Sequence, residues 1–200
     1  RWVKDVTGLN TIIIHIMKNR TEIEVYLHDT LDATELMRYL EKKNPEHPNY
    51  KTTIFHCFVF ALAKMVNERP YMNRFIQGRR VYERDEITVS FMAKRRFADG
   101  AEEAFMVYKA KDDDTIDTVS HRIYGDVSEV RKHEHSTGGI DAVVDSFAKI
   151  PRLPLMLIVG IVRILDFWGI NPKALTEGDS NYTTILCSKL GSIKGPAVYH

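Results

Sequence analysis

Residues 86–111 contain the pattern that most limits how this chain can fold. Apolar and polar side chains alternate from Glu86 to Phe97, and a second extended segment runs from Ala101 to Lys111. Asp99-Gly100 between them is a tight-turn signal, because both residues tolerate positive φ. A period of two is typical of a strand with one covered face, so the sequence predicts a long β-hairpin. The covered face should carry Ile87, Val89, Phe91 and Ala93.

Helical patterns surround this hairpin. A first helix is predicted over Asn10–Asn19, and Asp32-Ala33-Thr34-Glu35 resembles a capping box that opens a second. Thr52 or Thr53 should cap a central helix that packs on both sides and is closed by Pro70. A further helix is indicated by an apolar stripe with helical spacing, formed by Ile116, Val119, Ile123, Val127 and Val130.

Two other segments have the features of strands. Residues 22–28 alternate between apolar and polar side chains, and residues 182–188 form a short extended run near the end of the chain. No repeat, low-complexity tract or flexible linker interrupts the sequence, so residues 1–200 are expected to form a single domain. The order of elements favours a mixed α/β sandwich over a regular βαβ winding.

The residues from Leu153 to Trp168 form the most apolar stretch. This stretch is shorter than the roughly 20 residues that a membrane-spanning helix needs, and it contains Arg163 and Asp166. A helix buried in the protein, or facing another subunit, is therefore the prediction, and no membrane span is expected.

Charge and cysteine content exclude several classes of protein. Lys and Arg number 28 and Asp and Glu number 27, for a net charge of +1, which provides no overall field to attract nucleic acid. Cys57 and Cys187 lie in apolar runs and behave as small buried hydrophobes, so a reducing cytoplasm is expected. The first ten residues show no signal-peptide pattern.

Three motifs, in this order, resemble a known family. They are Leu31-Asp32-Ala33-Thr34, then Asn67-Glu68-Arg69-Pro70 with Asn73, and then Ser188-Lys189-Leu190-Gly191. Together with the segments around them, they resemble the acyltransferase catalytic domain of 2-oxoacid dehydrogenase complexes and its relative chloramphenicol acetyltransferase.

The resemblance implies a mixed-sheet α/β sandwich of the chloramphenicol acetyltransferase-like type, with its C-terminal part missing from residues 1–200. It also implies a homotrimer with active sites between subunits and an acyl-coenzyme A co-substrate, with no permanently bound cofactor and no metal. In this family a histidine of an H-x-x-x-D-G motif is the general base, and a serine stabilises the oxyanion. Ser188 matches that serine, and the histidine is expected beyond residue 200.

The function implied is acyl transfer from a coenzyme A thioester to a small-molecule acceptor. Because nothing resembling a lipoyl domain precedes residue 1, the protein is expected to act alone, outside a dehydrogenase complex. The alternative is a catalytically inert relative that serves as an oligomeric binding or assembly module. A downstream H-x-x-x-D-G motif would support the enzyme, and its absence would support the module.

Other polar groups have simpler interpretations. His121 lies in H-R-I-Y-G-D, which departs from the family motif, and should be a solvated residue of a helix. His56 and Cys57 are adjacent on a helix and do not face each other, so core packing explains them. His133-Glu134-His135 lacks the further ligands that zinc needs. Lys94-Arg95-Arg96 is a charged strand end, with phosphate contact as the alternative.

The acidic run Asp112–Asp114 is predicted to be an exposed loop that places negative charge at a helix N-terminus. It lacks the alternating spacing of a calcium loop.

Overall fold

The computed structural model describes residues 1–17, 24–94, 103–132, 150–170 and 182–188. Within them the helices are α1 (Gly8–Ile16), α2 (Thr34–Lys43), α3 (Ile54–Glu68), α4 (Ile116–Lys132) and α5 (Arg152–Trp168). The strands are β1 (Arg74–Gln77), β2 (Arg80–Glu83), β3 (Thr88–Lys94), β4 (Glu103–Lys109) and β5 (Ile185–Cys187). Single 3-10 turns follow α2 at Asn44–Glu46 and α3 at Pro70–Asn73.

A three-stranded mixed sheet, ordered β4-β3-β5, lies at the centre. β3 pairs antiparallel with β4, from Thr88↔Lys109 to Lys94↔Glu103, and parallel with β5. The hairpin predicted from alternation is confirmed, and its turn at Asp99-Gly100 lies outside the described residues. Since one sheet contains both pairings and is covered by helices, the predicted mixed α/β class is also confirmed.

The core lies where α3 and α4 pack against each other and against β3 and β4. Val119 and Ile123 are almost completely buried, which confirms the apolar stripe of α4. The remaining members of the cluster are Val59, Val89, Phe91, Tyr108 and Cys187.

The expectation that α3 is packed on both sides is only half right. Ile54 and Phe58 remain 42% and 50% exposed, because this side of the helix faces a cavity.

The predicted strand over residues 22–28 is not observed in its described part. Residues 24–28 belong to no strand, and Val25 and Leu27 are 92% and 90% exposed. Alternation gives a strand only when a neighbouring strand accepts its backbone hydrogen bonds, and no described strand lies beside this segment.

A second hairpin, β1–β2, was not predicted from the sequence. Its two-residue turn is Gly78-Arg79, with φ values of 54° and 60°, and two positive φ values match the right-handed twist of paired strands. Asn73 connects this hairpin to the central sheet, because its side chain donates to the Glu86 carbonyl (3.2 Å) and accepts from Thr184 Oγ1 (2.8 Å).

Local side-chain hydrogen bonds mark the starts of α2 and α3. Asp32 Oδ1 accepts the Thr34 amide (2.9 Å), as predicted, but Glu35 pairs with Arg38 and does not complete the box. A reciprocal box forms instead at α3, between Thr53 and His56. The first helix begins at Gly8 and ends at Ile16, earlier at both ends than Asn10–Asn19.

The apolar helix α5 is attached to the rest of the chain at its C-terminal end. Asp166 Oδ1 accepts hydrogen bonds from Gln77 Nε2 (2.9 Å) and Tyr182 Oη (3.0 Å). The backbone at Gly78 approaches so closely that a Cβ there would lie 2.1 Å from the Phe167 carbonyl oxygen. No residue of α5 is buried, so the alternative of burial inside this chain is wrong for the described residues.

None of the described helices is both long enough and apolar enough to cross a membrane.

Asp114 corrects the expectation of a wholly exposed acidic run. Its side chain is only 9% exposed and lies 3.0 Å from Arg122 Nη1. The Tyr108 hydroxyl and the Lys111 amide also donate to it. The counter-charge and these donors compensate the carboxylate for its lost water, so it packs beneath the start of α4. Asp112 and Asp113 are exposed as predicted.

Candidate functional site

A cavity of about 1220 Å³ lies between α2, the first turns of α3 and the end of β5. Its wall is mainly apolar and is formed by Met37, Leu40, Ile54, Phe55, Phe58, Leu62, Ile185, Leu186 and Cys187. Glu41 and Lys51 are the charged residues of the wall. A concave, mostly apolar space with few polar groups is suited to a small molecule that those groups orient.

Ser188 lies on the wall of this cavity. It directly follows β5, whose last residue Cys187 pairs with Phe91 in the parallel register. The sheet therefore fixes the backbone that leads to Ser188, while the residue itself remains exposed. The sequence motif that singled out this serine and the cavity that surrounds it are independent observations.

Thr52 is a second hydroxyl-bearing residue of the same wall, with its hydroxyl oxygen enclosed by the protein, and sequence reasoning did not identify it as a site residue. Its backbone is held at both ends by the amide of Asn44, which accepts the Thr52 N–H (2.8 Å) and donates to the Thr52 carbonyl (3.1 Å). The residue is 2% exposed, and its hydroxyl has no hydrogen-bond partner among the described residues. An unsatisfied buried hydroxyl costs about 1–3 kcal/mol, so a ligand atom that bonded it would recover this energy.

The adjacent residue explains why Thr52 is left without a partner. Thr53 is the N-cap of α3, and its amide donates to His56 Nδ1 (3.3 Å). The sequence left the cap open between Thr52 and Thr53, but only one residue can occupy the N-cap position. Once Thr53 takes that position, the hydroxyl of Thr52 is not used by the helix.

The histidines and cysteines weighed from the sequence are structural where they are described. His121 is exposed on α4, with its ring 5.5 Å from that of Tyr50. His56 caps α3, and Cys57 packs in the buried face of that helix. Burial raises the pKa of both the Cys57 and the Cys187 thiols, which disfavours the reactive thiolate form.

Several sequence candidates lie outside the described residues. These are Arg95, Arg96, the side chain of Lys94, and His133-Glu134-His135. Among the residues that the structure does describe, no three His, Cys, Asp or Glu side chains come close enough to hold a metal ion.

Fold and cavity together define a mixed α/β domain with a mainly apolar cavity at the end of its sheet. Residues 3–96 match the model of the 2-oxoacid dehydrogenases acyltransferase (catalytic domain) family. This match confirms the resemblance drawn from the motifs, and it covers the chain from α1 through β3. The segment that carries Ser188 lies outside the matched range.

Two solved structures are similar to this chain. One is a probable dihydrolipoamide acetyltransferase from Listeria monocytogenes 4b F2365, 22% identical, covering 66% of this chain and 57% of that one, with a TM-score of 0.49. The other is a truncated catalytic core of the 2-oxoacid dehydrogenase multienzyme complex from Thermoplasma acidophilum, 16% identical, covering 68% and 63% of the two chains, with a TM-score of 0.46. The chain therefore spans less than two thirds of the length of these structures. No curated protein sequence matches it.

Proposed function

We propose that this protein transfers an acyl group from a coenzyme A thioester to a small acceptor, with Ser188 stabilising the oxyanion. The observation that carries the proposal is the position of Ser188 at the end of β5, on the wall of a cavity that is otherwise mainly apolar. The sheet fixes the backbone that leads to Ser188, and once a bound substrate has displaced water from the apolar cavity, the Ser188 hydroxyl can donate to a developing negative charge.

The chemistry requires a base and an oxyanion donor. A neutral histidine, supplied from outside residues 1–200, takes the proton of the acceptor thiol or hydroxyl as that atom attacks the thioester carbonyl. The carbonyl oxygen becomes negative in the tetrahedral intermediate, and the Ser188 hydroxyl donates a hydrogen bond to it. Collapse expels the coenzyme A thiolate, which is protonated by the histidinium.

Thr52 is proposed to orient the bound molecule. Its hydroxyl faces no protein partner, while Asn44 prevents its backbone from moving. The Thr52 hydroxyl is enclosed in the free protein, so its side chain must rotate toward the cavity when the substrate binds. A polar atom of the substrate can then bond this hydroxyl while the apolar part of the substrate contacts Phe55 and Phe58. The acceptor is therefore expected to combine an apolar body with one polar group.

The family resemblance also supports a homotrimer with sites between subunits. Glu41 and Lys51 are the charged residues of the cavity wall, and we propose that they contact a neighbouring subunit. The acyl group carried and the identity of the acceptor depend on that neighbour, because it completes the wall.

The test uses the full-length natural protein and acetyl coenzyme A with a panel of thiol and alcohol acceptors, with acylated product measured by mass spectrometry. Ser188→Ala should lower kcat about a hundredfold with little change in KM, because the lost bond forms in the transition state. Ser128→Ala is the matched control, since the Ser128 hydroxyl donates to the Tyr124 carbonyl of its own helix and Ser128 does not line the cavity.

Unchanged turnover in Ser188→Ala would remove Ser188 from the mechanism. Binding of acetyl coenzyme A without any turnover on the panel would favour the inert binding module instead. Thr52→Val separates orientation from chemistry, because it should raise KM for the acceptor by about tenfold and leave kcat nearly unchanged.

A further inference from the structure

Helix α5 presents an apolar face to the outside of the described chain. Leu153, Leu157, Ile164 and Trp168 are 79%, 66%, 62% and 70% exposed. At about 100° per residue, these four side chains project within a sector of roughly 60°. We call this set, with Gly160 and Ile161 at its middle, the α5 stripe. Isolated exposed apolar residues need no explanation, but a contiguous stripe of this kind marks an interaction surface.

A different face of the same helix packs on its own chain. Leu155, Ile158, Val162 and Leu165 are half-buried, and Asp166 is bonded to Gln77 and Tyr182. The helix is therefore held with its orientation fixed, and the α5 stripe is the side left uncovered by the described residues.

Gly160 shows that another backbone is expected close to the stripe. A glycine inside a helix costs about 0.5–1 kcal/mol relative to alanine, so a helix that keeps one has a use for it. Nothing lies within 4 Å of the position that a Cβ would occupy at Gly160, so no contact among the described residues requires the small side chain. A missing side chain in the middle of an apolar stripe lets a second helix approach closely, because the distance between packed helices depends on the side chains at the contact.

We propose that two copies of this chain pair antiparallel through the α5 stripe. The stripe occupies positions 153, 157, 160, 161, 164 and 168, so the intervals between successive positions are four, three, one, three and four residues. This series of intervals is the same from either end of the helix. A two-fold axis at the midpoint places Leu153 against the partner subunit's Trp168, and Ile161 against the partner subunit's Gly160. A two-fold contact of this kind uses the same patch on both subunits.

Charge favours this orientation over a parallel pair. In the antiparallel pair the two adjacent helix dipoles point in opposite directions, which is the more favourable arrangement. A parallel pair would align the two dipoles side by side and place like partial charges next to each other at both ends.

The exposed area is large enough for a specific contact. The seven large apolar side chains on and beside the stripe, with Met156 and Phe167 included, together expose on the order of several hundred Å², and one side of a standard interface is about 800 Å². A lipid surface fits less well, because a helix lying in a membrane interface needs a strongly polar face directed to water. In α5 the face away from the stripe is apolar and packs on the protein.

Cysteine cross-linking tests the register. Leu153→Cys and Trp168→Cys chains, mixed and treated with a short bismaleimide, should give a covalent dimer that contains one chain of each kind. Leu153→Cys alone should give none, since the proposed axis separates the two Leu153 positions by about 22 Å at 1.5 Å per residue. The natural Cys57 and Cys187 are buried and should not compete.

Mass measurement tests the contact itself. Ile164→Asp should halve the mass measured by light scattering, from a dimer to a monomer or from two linked trimers to one, with an unchanged circular dichroism spectrum. Val25→Asp is the matched control, because Val25 is 92% exposed and lies outside α5. It should leave the mass unchanged.

An unchanged mass in Ile164→Asp, or a covalent dimer from Leu153→Cys alone, would overturn the pairing. If the natural protein is already monomeric, the pairing is overturned and the stripe is covered by other residues of the same chain. If Ile164→Asp abolishes binding to anionic vesicles but leaves the mass unchanged, the pairing is overturned in favour of a membrane as the cover. The outcome is independent of the proposed catalysis, since no residue of the stripe lines the cavity.

Discussion

Helices α3 and α5 are both rich in apolar residues, yet the described chain uses them in opposite ways. α3 buries His56, Cys57, Val59, Ala63 and Val66 against α4 and β3. α5 has no buried residue and is attached mainly at its C-terminal end. The comparison shows that apolar composition predicts that a helix will be covered, but not by what. One face of α3 is covered by its own chain, whereas no described residue covers the outer face of α5.

The largest expected effect comes from placing the same charge on each helix. Val59→Asp should prevent folding or lower the free energy of unfolding by at least about 4 kcal/mol, because Val59 is fully buried with no partner for a carboxylate. Ile164→Asp, measured by urea unfolding at low protein concentration, should change it by less than about 0.5 kcal/mol. Equal losses in the two variants would mean that α5 is covered by its own chain after all.

The partly buried carboxylate of Asp114 shows how a charged group at the edge of the core contributes to stability. Although burial opposes it, hydrogen bonds from Tyr108 and the Lys111 amide, together with the Arg122 charge, hold the pKa of Asp114 below its ordinary value. The carboxylate therefore stabilises the fold above the pKa of the unfolded chain, and this contribution is lost as the pH falls through the folded pKa.

We expect Asp114→Asn to lower the free energy of unfolding by about 2 kcal/mol at pH 7. The difference from the natural protein should shrink below about pH 4, as urea melts at several pH values can show. Asp113→Asn, on the exposed neighbour, is the control and should change little. A difference that stays constant with pH would argue against the ionised contact.

The two threonines before α3 provide a finer comparison within the core region. Thr53→Ala should cost about 1 kcal/mol, because it removes the N-cap. Thr52→Val should cost nothing in stability, since the Thr52 hydroxyl has no partner to lose. Thermal melts of the two variants side by side would contradict this assignment of roles if Thr52→Val proved the more damaging.

The smallest effect is expected at Gly160, and its sign is informative. In a chain that already carries Ile164→Asp, Gly160→Ala should stabilise the protein by about 0.5 kcal/mol, because alanine favours the helix and the space around it is open. Without Ile164→Asp, the added methyl group should instead weaken pairing and shift the mass toward the smaller species. Destabilisation in the first background would show that the glycine is needed within a single chain.

The local pattern of apolar and polar residues predicted secondary structure correctly where two predicted elements of this chain pack or pair with each other. Alternation predicted β3 and β4 because each provides the other with a full ladder of hydrogen bonds. The prediction of α4 from its apolar stripe was also correct, because the sheet that covers this stripe belongs to the same chain. The same alternation at Val25 and Leu27 failed, because no described strand lies beside them.

Other features could not be predicted because two adjacent residues were both candidates for one structural role, or because the residues that form the feature are distant in sequence. Gly78 was a usable turn signal for β1–β2, but Arg79 beside it takes positive φ without being a glycine, so the pattern did not stand out. The Thr52-Thr53 pair offered two possible caps, and only the structure shows which hydroxyl is left without a partner among the described residues. The sequence motif identified Ser188, but the cavity around it is assembled from α2, α3 and β5, which are distant in sequence.

The close approach between Gly78 and the Phe167 carbonyl determines the angle at which α5 leaves the β1–β2 hairpin. A single methyl group at this turn would collide with the carbonyl oxygen of Phe167, and the positive φ would resist it as well. Gly78→Ala should therefore tilt the end of the helix away from the hairpin while every side chain that faces outward stays the same. A substitution at position 78 would thus change the angle of the α5 stripe without altering the side chains that form it. Natural substitutions at this turn would therefore change how the stripe meets its partner.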